Sequence, residues 1–341
     1  MTLDVLAFEG HFVDHLAPVW RALPDGVRGD FLTLPSLVAR AAHRGVVAIP
    51  TERPHHVVHY PAARHDGRPA LVASYGDVKE GRRLGYGPFA FIEHGIGQSY
   101  GNRRNGSYAG GPDRVDNQLI MVPNETCAVV WRAAYPDALI RVVGCPRLDD
   151  LPEREGDRGR TVALSFHWPA PLSISGYAGT AVGDYLAAIP KLVERFDVIG
   201  HAHPKGDWPR QMRRHYERWG VEFVPEFDDV CRRADVYVCD NSSTIFEFAA
   251  TGRPVVLLNA RHWSRKGPEL GLRFWEASSV GINVWPGDDL VDAVTYALAD
   301  DTEQQVARDA ALALVYQPLA GGAQVAAREL TAWMRRLAFA A

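Results

Sequence analysis

The chain has 341 residues, too many for one ordinary core and enough for two α/β domains. Apolar residues make up 47% and charged residues 23% of it, and the net charge of −4 argues against bulk nucleic-acid binding. Cys127, Cys145, Cys231 and Cys239 show no C-x-x-C spacing, which favours buried thiols in a reducing compartment over a disulfide framework. Asp4, Glu9 and Asp14 interrupt any signal-peptide pattern, and no apolar run approaches the ~20 residues of a membrane span, so a cytoplasmic protein is expected.

Leu3 to Phe8 reads as a strand, and Val13 to Leu23 as a helix with Leu16, Val19, Trp20 and Leu23 on one side. Gly10 falls at the turn between them, where it suits close backbone approach by a ligand or neighbouring strand. His11 and His15 lie near that turn, as cleft residues or as surface and capping residues. A helix is expected over Leu34 to His43 and strands over Val46–Ile49 and Ala70–Ser74. The histidines His55, His56, His59 and His65 lack the paired helical spacing of a metal site.

Phe89 to Ile92 is a buried-type strand that ends in Glu93-His94-Gly95. Open α/β sheets bind ligands at the carboxyl ends of their strands, and a histidine titrates near working pH. His94 is therefore a candidate general base, with a cap on a glycine turn as its alternative. Residues 101–116 read as a Gly-, Asn- and Arg-rich loop, and Asn124 as the cap of a helix to Ala134. Leu139–Val143 is a strand ending in Gly144-Cys145-Pro146-Arg147-Leu148-Asp149, and the charged run from Asp150 to Arg160 reads as the linker.

Val162–Phe166 opens a second sheet, followed by a helix over Ala181–Arg195. Phe196–Gly200 is a strand running into His201-Ala202-His203-Pro204-Lys205, a second strand-end histidine cluster, with a metal-binding H-x-H pair as an alternative reading. A basic amphipathic helix is expected over Trp208–Trp219. Asp235–Cys239, the turn Asp240-Asn241-Ser242-Ser243, a helix over Thr244–Ala250 and the strand Val255–Leu258 form a βαβ crossover. Such a turn offers N–H and hydroxyl donors to a phosphate, from Asn241, Ser242, Ser243 and Thr244, with Glu247 near a ribose diol; serines also cap helices without any ligand. Asp288 or Asp289 is expected to cap a helix to Leu298. Residues 323–341 form a final helix whose apolar side packs on the first domain or, alternatively, lies on a membrane surface.

Four pieces, Glu93-His94-Gly95, Gly144 to Asp149, His203-Pro204, and Asp240 to Ser243 leading to Phe246-Glu247-Phe248 and Gly252-Arg253-Pro254, occur in this order across most of the chain. In them the chain resembles the CDP-glycerol glycerophosphotransferase family and, more distantly, GT-B enzymes of the UDP-N-acetylglucosamine 2-epimerase type. The resemblance implies an α/β GT-B fold, with two Rossmann-like domains whose parallel sheets face across a cleft: residues 1–150 on the acceptor side and 151–322 on the donor side, and a helix over 323–341. It implies catalysis at His94, donor phosphates on His203, Ser242 and Ser243, and Glu247 near the ribose. Lys205 would offset phosphate charge, while Gly10, His11, Gly95 and Arg147 are further cleft candidates. The function implied is transfer of a glycosyl or glycerophosphate group from a nucleotide-activated donor to a polyol, glycan, protein or other hydroxyl acceptor, without a metal or other cofactor. The alternative is a sugar-nucleotide epimerase or hydrolase. The family often carries a lysine shortly after its His-Gly; Gly97-Gln98-Ser99 stands here instead, which leaves a sugar nucleotide open as donor.

Overall fold

A computed structural model describes residues 1–51, 67–94, 116–157, 159–169, 171–172, 176–177, 180–204, 206–261, 263 and 275–340. The chain forms two compact units, the first returning at its end through Tyr316–Ala341 and the second running from Leu151 to Val315. The return therefore falls at Tyr316, ahead of the expected Ala323.

The first unit is a seven-stranded sheet of β1 (Leu3–Ala7), β2 (Arg28–Thr33), β3 (Ala48–Pro50), β4 (Ala70–Val72), β5 (Phe89–Ile92), β6 (Asn117–Val122) and β7 (Leu139–Val142). Its order is β3-β2-β1-β4-β5-β6-β7, and every pairing is parallel. A parallel sheet is covered on both faces, so its central strands are apolar throughout rather than alternating: β4 and β5 are entirely buried. The order reverses between β1 and β4, which makes the carboxyl ends of those strands the expected ligand position.

The second unit contains β8 (Thr161–Phe166), a two-residue pairing of β9 (Pro171–Leu172) with β10 (Gly176–Tyr177), β11 (Asp197–Ala202), β12 (Glu222–Phe223), β13 (Val236–Cys239), β14 (Val255–Leu258) and β15 (Ile282–Val284). Its six-stranded sheet has the order β12-β11-β8-β13-β14-β15, again all parallel, and reverses between β8 and β13. Val236 and Val238 enter a core with Val162, Leu164, Val256 and Leu258, beneath helices contributing Leu192, Met212, Tyr216 and Val294. Gly200 is required there, because a Cβ on it would lie 2.4 Å from the Tyr216 ring.

Several elements differ from expectation. The first helix begins at Gly10, so Gly10 to Phe12 form its first turn instead of a loop. The expected helix over Ala181–Arg195 is broken into Val182–Tyr185, a 3-10 turn at Leu186–Ala188, and Ile189–Val193, because Pro190 has no N–H to continue the ladder. The helix Thr302–Val315 was not anticipated, because its first half, Thr302 to Asp309, is mostly polar; Arg308 is buried in it through Asp300, at 2.8 Å. Asn124 and Asp289 cap their helices as expected, accepting from Cys127 N at 2.8 Å and from Val291 N at 2.8 Å.

The final helix, Gly322–Ala340, buries Leu330, Trp333 and Met334 in the first unit's core with Leu16, Val19 and Val143, so its apolar side packs inward. Its docking is organised by the Gly144–Asp149 motif. Gly144 has φ 73°, and a Cβ there would fall 2.2 Å from Pro318 O. The Asp149 carboxylate accepts from Gly321 N at 2.7 Å and Ala323 N at 2.8 Å, capping the helix from across the unit. No described helix is long and apolar enough to cross a membrane.

Gly144→Ala should therefore destabilise the protein by at least ~2 kcal/mol, from a left-handed backbone and an overpacked contact together. Gly156→Ala is the control: its φ is also 73° but nothing lies within 4 Å of its Cβ position, so only the backbone cost of ~1 kcal/mol applies. Equal losses in urea unfolding would refute the docking role.

Candidate functional site

In the first unit, β5 delivers Glu93 and His94 beyond its carboxyl end. Glu93 is buried and accepts from Trp131 Nε1 at 3.0 Å, a packing role. His94 Nδ1 lies 2.7 Å from Ala73 O at the end of β4. A carbonyl can only accept, so Nδ1 carries the proton and the lone pair sits on Nε2.

The first helix brings three side chains against this ring. Phe12 meets it edge-on with centroids 4.5 Å apart, His11 lies at 5.2 Å and His15 at 6.1 Å. His11 and His15 share a helix face by their i,i+4 spacing, and His11 also approaches Glu9 at 3.8 Å. His15 is buried, with Cys145 Sγ 3.9 Å from its Nδ1. Burial, then the positive charge of Arg147, holds its pKa well below the ordinary histidine value, so the ring stays neutral.

Asp14, on the same helix, lies beneath this group. It accepts from Arg40 at 2.6 and 3.0 Å and from Arg44 at 2.9 Å, and Arg147 lies 3.2 Å away. Burial acts to raise the Asp14 pKa, but Arg147, Arg40 and Arg44 outweigh it and lower it to about 2. Arg147, expected as a cleft residue, is a buried ion-pair partner of Asp14. Gly10 packs against Arg40, whose side chain would lie 3.4 Å from a Cβ added there. Gly95 lies outside the described residues.

In the second unit, Asp240 is fully buried at the reversal between β8 and β13. Its Oδ1 accepts from His167 N and from Asn241 N, both at 2.7 Å, and its Oδ2 accepts from Thr180 Oγ1 at 2.9 Å and Ala181 N at 2.8 Å. This carboxylate ties the ends of two strands and the start of the next helix together. His167 follows β8 directly, and its ring lies 4.7 Å from that of His203, beyond β11. His167 Nδ1 lies 2.8 Å from Trp168 O, and burial lowers the ring's pKa despite Asp240. His201, the other half of the H-x-H pair, is buried with Nδ1 2.8 Å from Val224 O. Among the described residues no group of three or more His, Cys, Asp and Glu side chains is arranged to hold a metal. Lys205 lies outside the described residues, as do His55, His56, His59 and His65.

The Ser242–Ser243 turn divides its hydroxyls between two jobs. Ser242 Oγ accepts from Thr244 N at 3.3 Å and Thr244 Oγ1 at 2.8 Å, and Tyr237 Oη lies 2.9 Å from Thr244 Oγ1. Ser243 Oγ donates to Glu247 Oε1 at 3.2 Å and makes no capping bond. Glu247 is therefore a buried, oriented carboxylate rather than a surface helix residue.

The structure thus brings His11 against His94 in the first unit; in the second it joins Ser242 to Thr244 and Ser243 to Glu247, and sets His203 against His167, whose N–H shares the Asp240 carboxylate with that of Asn241. Sequence reasoning placed His15 near the first turn without its neutral state, and passed over Asp14 as an ion-pair centre, His167, Tyr237 and the role of Asp240. The available signal for His167 was its place directly after a buried-type strand, the same place His94 occupies after Phe89–Ile92.

No protein-family model matches the chain, and no curated protein matches it. Solved structures match over its whole length. A candidate UDP-N-acetylglucosamine 2-epimerase from Listeria monocytogenes is 13% identical with a TM-score of 0.60, covering 100% of this chain and 97% of its own. A UDP-N-acetylglucosamine 2-epimerase from Neisseria meningitidis, solved with UDP-N-acetylglucosamine, is 12% identical with a TM-score of 0.57, covering 98% and 100%. The calicheamicin glycosyltransferase CalG4 is 14% identical with a TM-score of 0.56, covering 99% and 98%. With two parallel-sheet Rossmann-like units, the chain has the GT-B fold.

His15 and His167 also make stability depend on pH. Each has a folded pKa below its ordinary value of 6.5, so the unfolded chain binds more protons as pH falls through that value. Their contribution is present above that value and lost below it. Urea unfolding should show lower stability at pH 5.5 than at pH 7.5, and His15→Gln should shrink the difference. A stability that is flat or rises on acidification contradicts the burial of neutral rings.

Proposed function

We propose that the protein is a GT-B transferase that moves a glycosyl or glycerophosphate group from a nucleotide-activated donor to an acceptor hydroxyl. The observation that carries the reading is the half-buried ring of His94 at the end of β5, whose contact with Ala73 O leaves the lone pair on Nε2. His94 takes the acceptor proton as the acceptor oxygen bonds to the transferred group, and the bond from that group to the nucleotide phosphate breaks with its electron pair leaving on the nucleotide.

In this scheme the second unit holds the donor. His203, the Ser242 hydroxyl and the turn's N–H groups receive its phosphates, with Asn241 and Thr244 shaping the turn and Lys205 adding positive charge. Because the Ser243 hydroxyl is engaged by Glu247, Ser243 serves the phosphate through its backbone and Glu247 serves the ribose. The sugar nucleotide bound by the Neisseria meningitidis protein favours a glycosyl donor over a glycerophosphate one. The charge stabilisation invoked comes from the chain itself, and turnover is expected to persist in excess EDTA.

The 2-epimerases among the structures of like fold support a second reading, epimerisation or hydrolysis of the sugar nucleotide itself. Incubating nucleotide-linked sugars with and without acceptors separates the two, since an epimerase or hydrolase turns over without an acceptor. For the transferase, His94→Ala should lower turnover by about 10²–10⁴-fold while leaving the thermal shift given by the bound nucleotide intact. Near-normal turnover of His94→Ala would remove His94 from the mechanism.

A further inference from the structure

Tyr237 is the third residue in line behind the turn, and nothing so far gives it a task. It sits on β13, where the side chains of Val236 and Val238 enter one core and its own points to the opposite face. The ring is fully buried between Phe227, with centroids 5.7 Å away, and Phe248, stacked at 5.3 Å. A phenol placed there must spend its proton on a protein acceptor.

We propose that Tyr237 is a positioning residue for the donor phosphate, acting through Thr244 to turn the Ser242 proton outward as a polarised hydrogen-bond donor. The proposal rests on the reading that this turn binds the donor.

The direction follows from counting protons. A hydroxyl has one proton to give and two lone pairs to accept with. Ser242 Oγ accepts from both the amide and the hydroxyl of Thr244, so its lone pairs are engaged and its proton remains to be donated. Thr244 has given its single hydroxyl proton to Ser242 and so accepts from Tyr237, 2.9 Å away, whose hydroxyl also meets the side chains of Ser165 and Cys239. Burial pushes the Tyr237 phenol well above its ordinary pKa, so it keeps its proton at any working pH. The O–H bonds then run head to tail, from Tyr237 through Thr244 to Ser242, and each strengthens the next.

The neighbouring serine has no such proton to offer, because Ser243 gives its own to Glu247. A hydroxyl whose lone pairs are taken cannot coordinate a cation or accept from a sugar hydroxyl. It suits an anion, and a phosphate oxygen of a nucleoside diphosphate is the anion the reading supplies. The doublet thus splits by function: Ser242 addresses phosphate, and Ser243 orients the carboxylate that addresses the ribose.

The test uses near-isosteric changes. Thr244→Val removes the middle hydroxyl and keeps the shape, Thr244→Ser keeps the hydroxyl, and Tyr237→Phe removes the first donor. Calorimetric titration with UDP, CDP, GDP, ADP and dTDP, each beside its unphosphorylated nucleoside, reads phosphate recognition apart from base and ribose recognition. For the diphosphate the wild type binds best, Thr244→Val and Tyr237→Phe should each lose roughly three- to tenfold in affinity, as expected for a weakened charge-assisted hydrogen bond. Nucleoside affinity should hold, and Thr244→Ser should stay within about twofold of wild type, a few tenths of a kcal/mol.

Melting of each unliganded variant checks its fold; should Thr244→Val fail to fold, Tyr237→Phe carries the comparison. Unchanged diphosphate affinity in the folded variants, or equal losses for diphosphate and nucleoside, overturns the relay and leaves the donor-site reading standing. A wild type that binds no diphosphate better than its nucleoside overturns the donor-site reading itself, and the relay with it.

Discussion

The buried carboxylate of Asp240 is the interaction on which the second unit's site depends. At the point where β8 and β13 part, two strand ends and the start of a helix leave backbone N–H groups pointing into a space closed to water. Each would cost free energy if left unmade. Asp240 answers four donors at once, three backbone N–H groups and the Thr180 hydroxyl, with contacts of 2.7–2.9 Å. Because one donor is the N–H of His167 and another that of Asn241, the same carboxylate that satisfies the backbone sets the registers of the His167–His203 pair and of the serine turn. The first unit meets the corresponding problem differently. There the first helix turns Asp14 inward, and arginines converge on it from two other segments, Arg40 and Arg44 from the helix Val38–His43 and its C-cap, and Arg147 from the Pro146–Asp150 turn.

That contrast changes how the Gly144–Asp149 motif is understood. Its residues look like a ligand-binding turn, since glycine, proline, arginine and aspartate gather at a strand end. Three of them nevertheless have partners within the unit. Gly144 admits Pro318, Arg147 meets Asp14, and Asp149 caps the final helix through Gly321 and Ala323. Breaking a buried ion pair such as Arg147–Asp14 costs ~3–5 kcal/mol, because the surviving charge is left without its partner in low dielectric. The contacts of Gly144 and Asp149 stabilise the returning segment, and that of Arg147 holds the first helix.

What was legible in the sequence was whatever a short window carries. Apolar runs marked β5, β8, β13 and β14, and capping chemistry announced helices at Asn124 and at Asp288 or Asp289, of which the structure selects Asp289. The order of the strands was not legible, since it depends on pairings between residues far apart. For that reason His94 stood out beside its glycine while His167, in the equivalent place on the central strand, did not. Asp14 reads as a break in an apolar pattern, because the three arginines that neutralise it come from distant positions. The serine doublet was legible as a turn, but the split between its hydroxyls depends on Tyr237 and Glu247, one lying behind the turn and the other beneath it.

Histidines at strand ends recur in both units, and the structure separates their uses. His94, His167 and His201 each place Nδ1 within hydrogen-bond distance of a main-chain carbonyl, which leaves the lone pair on Nε2 in all three. The tautomer is therefore common to them and cannot by itself select the base. Accessibility does: His167 and His201 are buried, and desolvation keeps His167 neutral, whereas His94 is half-buried. A general base must accept a proton and become a cation during the reaction, which a desolvated ring resists. Of the three, only His94 combines a lone pair on Nε2 with a ring that is not buried, the combination that the proposed general base requires. The buried ring of His167 is suited to holding His203 in place as a neutral neighbour.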